Sequence, residues 1–165
     1  MTARLRFRSP LGPLIVEAGD EGVFGISFGG GGAASAGVSA RARAHLAAAE
    51  EALTDYFAGH APRMPALDVR GTAFQQTVWR ALIEIPWGEV RTYGEIGRAI
   101  GLAGGARAVG GANHENPVAI LVPCHRVVAA GGRLGGYGGG IERKRWLLAH
   151  ETAHAPALRL TTRAR

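Results

Sequence analysis

The sequence predicts an α+β fold: a small N-terminal α/β domain, made of a short antiparallel sheet and a helix, packed on a mainly helical C-terminal domain that contains a helix-turn-helix. Short alternating or apolar runs separated by turn residues fill the start of the chain, and helical periodicity dominates after it. A stretch with a proline at each end, residues 62–65, is typical of a linker. We therefore place a domain boundary between residues 70 and 71.

The N-terminal domain, residues 1–70, is predicted to open with three strands. Their apolar positions are Leu5, Phe7, Leu14, Val16, Val23, Ile26 and Phe28. Turn residues at 12–13 and 20–22 separate the strands, and a loop rich in glycine and alanine follows at 29–37. Ser39 can cap a helix that ends near Phe57. Since no catalytic constellation is evident in this part, we assign it a structural role.

The C-terminal domain, residues 71–165, is predicted to begin with three helices. Thr72 can cap the first, whose apolar face carries Phe74, Val78, Leu82 and Ile85. Thr92 can cap the second, because Glu95 stands at the capping-box position. A glycine-containing break at 101–105 then precedes a third helix over 106–113. Two helices joined in this way form a helix-turn-helix, although a plain helical hairpin is the commoner use of this pattern.

Charge favours a nucleic-acid partner for the C-terminal domain. Residues 1–70 carry seven arginines and seven acidic residues, whereas residues 71–165 carry twelve basic and six acidic residues and hence the whole net charge of +6. Clustered cations suit phosphate binding, although arginine-rich surfaces also arise from genome composition. The small side chains of the third helix would let its backbone approach a groove closely, while Arg107 projects from it.

Composition excludes several other classes of protein. With 47% hydrophobic and 19% charged residues, the chain is typical of a globular protein. No apolar run approaches the roughly 18 residues of a membrane helix, and the start of the chain has no signal-peptide hydrophobic region. We expect a cytoplasmic monomer that does not associate with membranes. The six histidines show no metal-ligand spacing, so we expect no metal and no cofactor.

The strongest functional signal is the sequence PCHR at 123–126, because Cys124 is the only cysteine of the chain. A lone thiol is either a small buried core residue or a nucleophile. The apolar run at 119–122 predicts a buried strand that presents Cys124 and His125 at a fixed turn. Adjacent side chains on an extended segment point in opposite directions, so His125 would need a turn or a bridging water to reach the thiol. These residues alone leave both interpretations open.

Seven segments, in order, resemble the O6-alkylguanine-DNA alkyltransferases, also called methylated-DNA-protein-cysteine methyltransferases. They are GTAFQQTVW at 71–79, IPWG at 85–88, TYGEI at 92–96, RAVG at 107–110, NP at 116–117, PCHRVV at 123–128 and GY at 136–137. The resemblance covers residues 71–151, whereas the first 70 residues match only in having short strands and a helix. No cysteine and histidine cluster occurs there, so the zinc site of some relatives is not expected.

The resemblance implies DNA repair by a stoichiometric, suicide reaction. An alkyl (methyl) group would pass from O6-alkylguanine in double-stranded DNA, with O4-alkylthymine as a further substrate, to the protein's own cysteine. Cys124 would accept the alkyl group, His125 would act as its base through a water, and Glu151 would orient that histidine. Tyr93 would donate a proton toward the leaving guanine, and Asn116 would brace the turn that precedes the cysteine.

The same resemblance implies how DNA is held. Arg107 would enter the base stack and fill the space of a flipped nucleotide. Further DNA contacts are expected from Thr92, Tyr93, Ala106, Ala108, Gly110 and Arg126. The substrate pocket is expected to be formed by Val122, Pro123, Val127, Tyr137 and Gly138. The tail after Glu151 is expected to add nonspecific attraction to phosphates.

Two other functions stay open on the sequence. One is a noncatalytic lesion-binding protein with the same helix-turn-helix, although such relatives replace the cysteine. The other is a redox-sensing DNA-binding protein in which Cys124 is oxidised without a resolving cysteine. Without the resemblance, Tyr93 would be a core tyrosine, Arg107 a surface phosphate contact and Glu151 an exposed helix residue.

Overall fold

The computed structural model, which describes residues 2–32 and 36–156, has the predicted α+β architecture. Strands β1 (Ala3–Ser9), β2 (Gly12–Ala18) and β3 (Val23–Phe28) form an antiparallel sheet in chain order, and helix α1 (Ala40–Phe57) packs against it. The remaining helices are α2 (Ala73–Ile83), α3 (Tyr93–Ala99), α4 (Ala106–His114) and α5 (Ile141–Ala153). Strands β4 (Arg91–Thr92) and β5 (Val127–Val128) form a short parallel pair beside α3.

Side-chain alternation explains the sheet and the position of α1. Leu5 pairs with Val16 and Phe7 with Leu14 on the face that α1 covers, and the Phe7 ring stacks on Phe57 with centroids 6.0 Å apart. The side chain of Ser39 accepts a hydrogen bond from the Ala42 amide at 3.0 Å and so caps α1 as predicted. The sequence patterns of strands and cap are therefore confirmed.

The sheet edge joins the two halves of the molecule through backbone hydrogen bonds. The Ile26 amide in β3 donates to the Pro117 carbonyl at 2.9 Å, and the Ala119 amide donates to the Ile26 carbonyl at 3.0 Å. A single hydrophobic core runs from the sheet through α2, α4 and α5. Because residues 117–119 lie shortly before Cys124, the N-terminal sheet directly supports the segment that leads to the cysteine.

The helix-turn-helix consists of α3, the turn over residues 100–105 and α4. Thr92 and Glu95 form the predicted capping box: the Thr92 amide donates to Glu95 Oε2 at 2.7 Å, and the Glu95 amide donates to Thr92 Oγ1 at 3.1 Å. The turn closes where the Leu102 amide donates to the Gly97 carbonyl at 2.8 Å. A Cβ at Gly97 would stand 2.9 Å from the Leu102 carbonyl oxygen, so a glycine is needed at this crossing.

Two local predictions are wrong. Residues 119–122 form a turn and not a strand: Ile120 has a φ of 73°, and the Val122 amide donates back to the Val118 carbonyl at 3.0 Å. Apolar composition made the run resemble a strand, but local hydrogen bonds after Pro117 curl it back. Phe74, expected on the inward face of α2, is 36% exposed in the first turn of the helix, and the buried residues of α2 are Val78, Trp79 and Leu82.

Part of the predicted loop, residues 33–35, lies outside the described residues, and so does the tail at 157–165. The described parts of that loop, residues 29–32 and 36–37, contain no helix or strand. Among the helices described, none has the length and apolar content needed to span a bilayer.

Gly97→Ala should lower the free energy of unfolding by about 1–3 kcal/mol, because its methyl group would collide with the backbone of the helix-turn-helix turn. Gly94→Ala is the matched control, since a Cβ there meets only ordinary contacts of 3.7 and 3.9 Å. Urea unfolding should show the control unchanged or slightly stabilised. Equal losses in both variants would contradict the close packing of this turn.

Candidate active site

Cys124 begins a single 3-10 turn that includes His125 and Arg126. The turn is closed by the Arg126 amide, which donates to the Pro123 carbonyl at 3.0 Å. The segment is therefore not extended at Cys124, so the side chains of Cys124 and His125 need not point in opposite directions as they would in a strand. Cys124 is 6% exposed and lies at the wall of a cavity.

That cavity, of about 460 Å³, lies where the two halves of the molecule meet. Its walls come from β3, from α3 and α4, and from the glycine-rich segment before α5. The lining residues are Ile26, Ser27, Phe28, Tyr93, Gly110, Asn113, His114, Asn116, Ala119, Cys124, Gly136, Tyr137, Gly138, Gly139 and Arg143. A volume in this range suits a small organic group such as a nucleobase.

Two asparagines hold the backbone around the cysteine. Asn116 Nδ2 donates to the Val122 carbonyl at 2.8 Å, and Asn116 Oδ1 accepts from the Val118 amide at 3.0 Å, so this side chain spans the turn as the resemblance implied. Asn113 Nδ2 donates to the carbonyl of Cys124 itself at 3.3 Å. The thiol is thus attached to a backbone whose polar groups are fixed by side chains of α4 and the following loop.

His125 and Glu151 form a buried pair, 0% and 1% exposed. His125 Nε2 lies 2.7 Å from Glu151 Oε1. Arg126 holds the same carboxylate through Nε at 2.9 Å from Oε2 and Nη2 at 2.9 Å from Oε1, while its Nη1 donates to the Ile85 carbonyl at 2.7 Å. The guanidinium of Arg126 therefore balances the negative charge of the Glu151 carboxylate, and these hydrogen bonds orient the carboxylate toward the His125 imidazole.

The protonation states follow from these contacts. Burial opposes ionisation of Glu151, but the hydrogen bonds and charges of His125 and Arg126 outweigh it and lower the pKa of the carboxyl to about 2. Burial lowers the pKa of His125, against the attraction of Glu151, so the resting imidazole is neutral. Its Nε2 proton is then donated to Glu151, which leaves Nδ1 as the basic atom. Nδ1 is buried and has no partner among the described side chains and backbone.

Burial raises the pKa of the Cys124 thiol, and only partial compensation comes from Asn116 and the charge of Lys144. Lys144 is itself fully buried: its Nζ donates to the carbonyls of Val127 at 2.6 Å and Gly136 at 3.1 Å. Burial lowers the pKa of Lys144 to about 8. The resting thiol is therefore protonated, and a base is needed to make it nucleophilic.

Two tyrosines face the cavity with their phenols protonated. Burial, followed by the nearby Cys124, raises the pKa of both Tyr93 and Tyr137. The Tyr93 hydroxyl would stand 3.0 Å from a Cβ at Gly135, so a glycine with a φ of 70° gives this phenol its room. The protonated phenol of Tyr93 thus lines the same cavity as Cys124.

The predicted DNA-contacting residues of α4 occupy its outer face. Ala106, Arg107 and Ala108 are exposed, and Gly110, one turn after Arg107, lines the cavity. Thr92 is half-buried and uses its hydroxyl to cap α3. The exposed face of α4 therefore borders the cavity mouth, so that Arg107 lies one helical turn from the pocket wall.

Some predicted residues stand elsewhere. Arg126, assigned to the DNA contact, is buried against Glu151 and holds the carboxylate instead. Val122, Pro123 and Val127, assigned to the pocket, are buried and are not among the residues that line this cavity. Tyr137 and Gly138 do line it. No group of three potential metal-binding side chains occurs in residues 2–32 and 36–156.

Comparisons with known proteins agree with this geometry. Residues 73–153 match the family described as "6-O-methylguanine DNA methyltransferase, DNA binding domain". The methylated-DNA-protein-cysteine methyltransferase of Methanosarcina acetivorans is 42% identical over 151 residues, 88% of this chain and 95% of that protein. The protein of the same name from Mycobacterium bovis is 59% identical over 110 residues, 66% of this chain and 67% of that protein.

The chain belongs to the methylated-DNA-protein-cysteine methyltransferase family. Solved structures extend the match to the whole fold. The Mycobacterium tuberculosis OGT in complex with DNA has a TM-score of 0.79 at 46% identity, covering 92% of this chain and 94% of that one. The Pyrococcus kodakaraensis O6-methylguanine-DNA methyltransferase has a TM-score of 0.60 at 29% identity, covering 92% and 99%.

Sequence reasoning overlooked several residues of this methyltransferase-family site. Lys144 had a usable signal, because it is the only lysine in a chain with eighteen arginines. Asn113 could have been noted as a polar residue on the buried side of α4. Phe28 and Tyr56 carried no such signal, since strand and helix periodicity place them in the core without indicating what they approach.

Glu151 should make folding sensitive to acid. Its folded-state pKa of about 2 lies below its value in the unfolded chain, so its stabilisation is complete above about pH 4.5 and is lost as the pH falls toward 2. Between pH 7 and pH 3 the loss should be about 2 kcal/mol. Urea unfolding at pH 7 and pH 3 measures it: Glu151→Gln should show a smaller fall than the unmodified protein. Glu142→Gln, on an exposed side chain, is the control, and an identical fall in all three proteins would contradict the assignment.

Proposed function

We propose that this protein repairs DNA by transferring a methyl group from O6-methylguanine in duplex DNA to Sγ of its own Cys124. The observation that carries the proposal is one thiol on a nucleobase-sized cavity beside a neutral histidine that an ionised carboxylate orients. The names of the relatives and the DNA complex of the Mycobacterium tuberculosis protein support it. O4-alkylthymine, with an equivalent exocyclic oxygen, is a second substrate of this proposal.

The reaction begins with removal of the thiol proton. His125 Nδ1, the ring atom not used by Glu151, takes the proton of Cys124 through one water molecule. Glu151 stabilises the imidazolium that forms, as a buried carboxylate does for a catalytic histidine in hydrolases. Lys144 adds positive charge near the new thiolate. The base is therefore built to work only when the carboxylate is ionised.

Transfer itself is a displacement at the alkyl carbon. The Cys124 thiolate forms the S–C bond as the C–O6 bond breaks, and the electron pair of that bond passes to guanine. Tyr93 donates its phenolic proton to the departing base, so that no free anion is expelled. The product is a thioether at the chain's only cysteine, which has no second thiol to remove the alkyl group. Each molecule therefore reacts once.

DNA docking follows from the exposed face of α4. Its small residues allow the helix backbone to enter the minor groove, where little base-specific readout is needed for a lesion that occurs in any sequence. Arg107 fills the space of the flipped nucleotide, which reaches the cavity beside Gly110. In this proposal residues 71–165 bind DNA and accept the alkyl group, and residues 1–70 support them.

Intact mass spectrometry after incubation with excess duplex carrying one O6-methylguanine tests the proposal. One methyl group per molecule should be gained, with saturation at one equivalent of lesion, and peptide mapping should place it on Cys124. Cys124→Ala is the control and should gain none. An unchanged mass with tight lesion binding would overturn alkyl transfer in favour of a recognition protein. Reversible oxidation of Cys124 that alters DNA affinity, without methylation, would favour a redox sensor.

Arg107→Ala separates base-stack insertion from simple phosphate contact. If Arg107 fills the flipped base's space, its loss should reduce the transfer rate at saturating DNA by about 10-fold or more, since extrusion costs a few kcal/mol. Arg98→Ala, an exposed arginine at the end of α3, is the matched control and should affect only salt-dependent affinity. Rapid-quench kinetics at saturating duplex measures both rates, and equal rates would reduce Arg107 to a phosphate contact.

A further inference from the structure

Tyr56 connects the N-terminal half of the molecule to the reacting groups. It stands in the last turn of α1 and is 0% exposed. Its hydroxyl donates to Glu151 Oε1 at 3.0 Å across 95 positions of sequence. Among the described side chains that form hydrogen bonds with the His125–Glu151 pair, it alone comes from residues 1–70.

The hydroxyl completes the hydrogen-bond set of one carboxylate oxygen. Glu151 Oε1 accepts from Tyr56, from His125 Nε2 and from Arg126, whereas Oε2 accepts from Arg126 Nε. Arg126 contacts both oxygens and therefore does not by itself select which one faces the imidazole. Tyr56 bonds only Oε1, the oxygen that His125 uses, and approaches it from the opposite half of the protein.

A second contact holds the same helix end. His150, beside Glu151 on α5, places Nε2 at 2.6 Å from the Tyr56 carbonyl oxygen. The Tyr56 ring also packs edge-on against Trp87, with centroids 5.0 Å apart, and lies 5.4 Å from the His150 ring. The last turn of α1 and the Glu151 segment of α5 are therefore fixed to one another through both backbone and side chain.

We propose that Tyr56 is a positioning residue for alkyl transfer: its hydroxyl fixes Glu151 Oε1 on His125, so the N-terminal domain contributes to the chemistry. This inference rests on the proposed function of Cys124 and His125. Tyr56 touches neither the thiol nor the cavity, and acts through Glu151. Without its hydroxyl the carboxylate loses a neutral donor on Oε1 and directs more of its negative charge toward His125, so the imidazole protonates at higher pH.

Several groups besides Tyr56 affect the pKa of His125, and a test variant must leave these groups unchanged. The charged or titratable groups around the pair are Arg126 from the 3-10 turn, Lys144 and His150 from α5, and Cys124 itself. Tyr56→Phe alters none of these and keeps the aromatic ring. It therefore changes one hydrogen bond while the packing of α1 on α5 is retained.

The test compares Tyr56→Phe with Phe57→Leu, which disturbs the neighbouring ring of the same interface but makes no contact with Glu151. Two readouts are used: methyl transfer at saturating O6-methylguanine duplex over a range of pH, and the pH dependence of iodoacetamide alkylation of Cys124 without DNA. Tyr56→Phe should lower the transfer rate by about 10-fold and raise its acid-side midpoint by about half a unit. Its alkylation midpoint should also shift, and Phe57→Leu should keep both midpoints.

Each outcome decides the role of the hydroxyl. Unchanged midpoints in Tyr56→Phe, or equal shifts in both variants, would overturn the positioning role and leave Tyr56 as interface packing. The iodoacetamide readout does not need lesion DNA, so it still tests Tyr56 if the unmodified protein fails to transfer a methyl group. Circular dichroism and urea unfolding of each variant confirm that the compared proteins are folded.

Discussion

The buried, ionised carboxylate of Glu151 is the interaction on which the site depends. It receives hydrogen bonds from Tyr56 of the N-terminal half, from His125 and from Arg126. Burying an uncompensated charge would be costly, and the three donors together offset that cost. The same contacts keep the proton of the neutral His125 imidazole on Nε2. Glu151 therefore contributes both to the stability of the fold and to the chemistry of the site. Removal of any donor should therefore affect folding and reactivity together.

Both halves of the molecule contribute walls to the cavity, although they differ in net charge. β3 supplies one wall and pairs with the segment before the cysteine, while α3 and α4 supply another wall. Phe28 packs edge-on against Tyr137 with centroids 6.3 Å apart, so the sheet also supports the tyrosine of the glycine-rich segment. Through these contacts, residues 1–70 form part of the cavity itself in addition to supporting the fold.

Local chemistry made much of this fold predictable. Ser39, Thr72 and Thr92 were predicted to be helix N-caps, and each caps a helix in the structure. Residues 119–122 were misjudged because an apolar run does not reveal a turn held by side-chain and backbone hydrogen bonds. The position of Arg126 was wrong for a related reason. From the sequence, a cation next to the cysteine could contact either a phosphate or a buried carboxylate, and only the tertiary structure shows that Glu151 of α5 lies beside it. Tyr56 and Lys144 required the tertiary structure.

Alkyl transfer to Cys124 is tested most directly by a crystal structure of the Cys124→Ser variant bound to duplex DNA that carries one O6-methylguanine. We expect the modified base to lie outside the stack, within the cavity between Tyr93 and Tyr137, with its methyl group facing residue 124. Arg107 should occupy the vacated position and α4 the minor groove. A lesion that remains stacked in the duplex, or DNA bound away from α4, would contradict it.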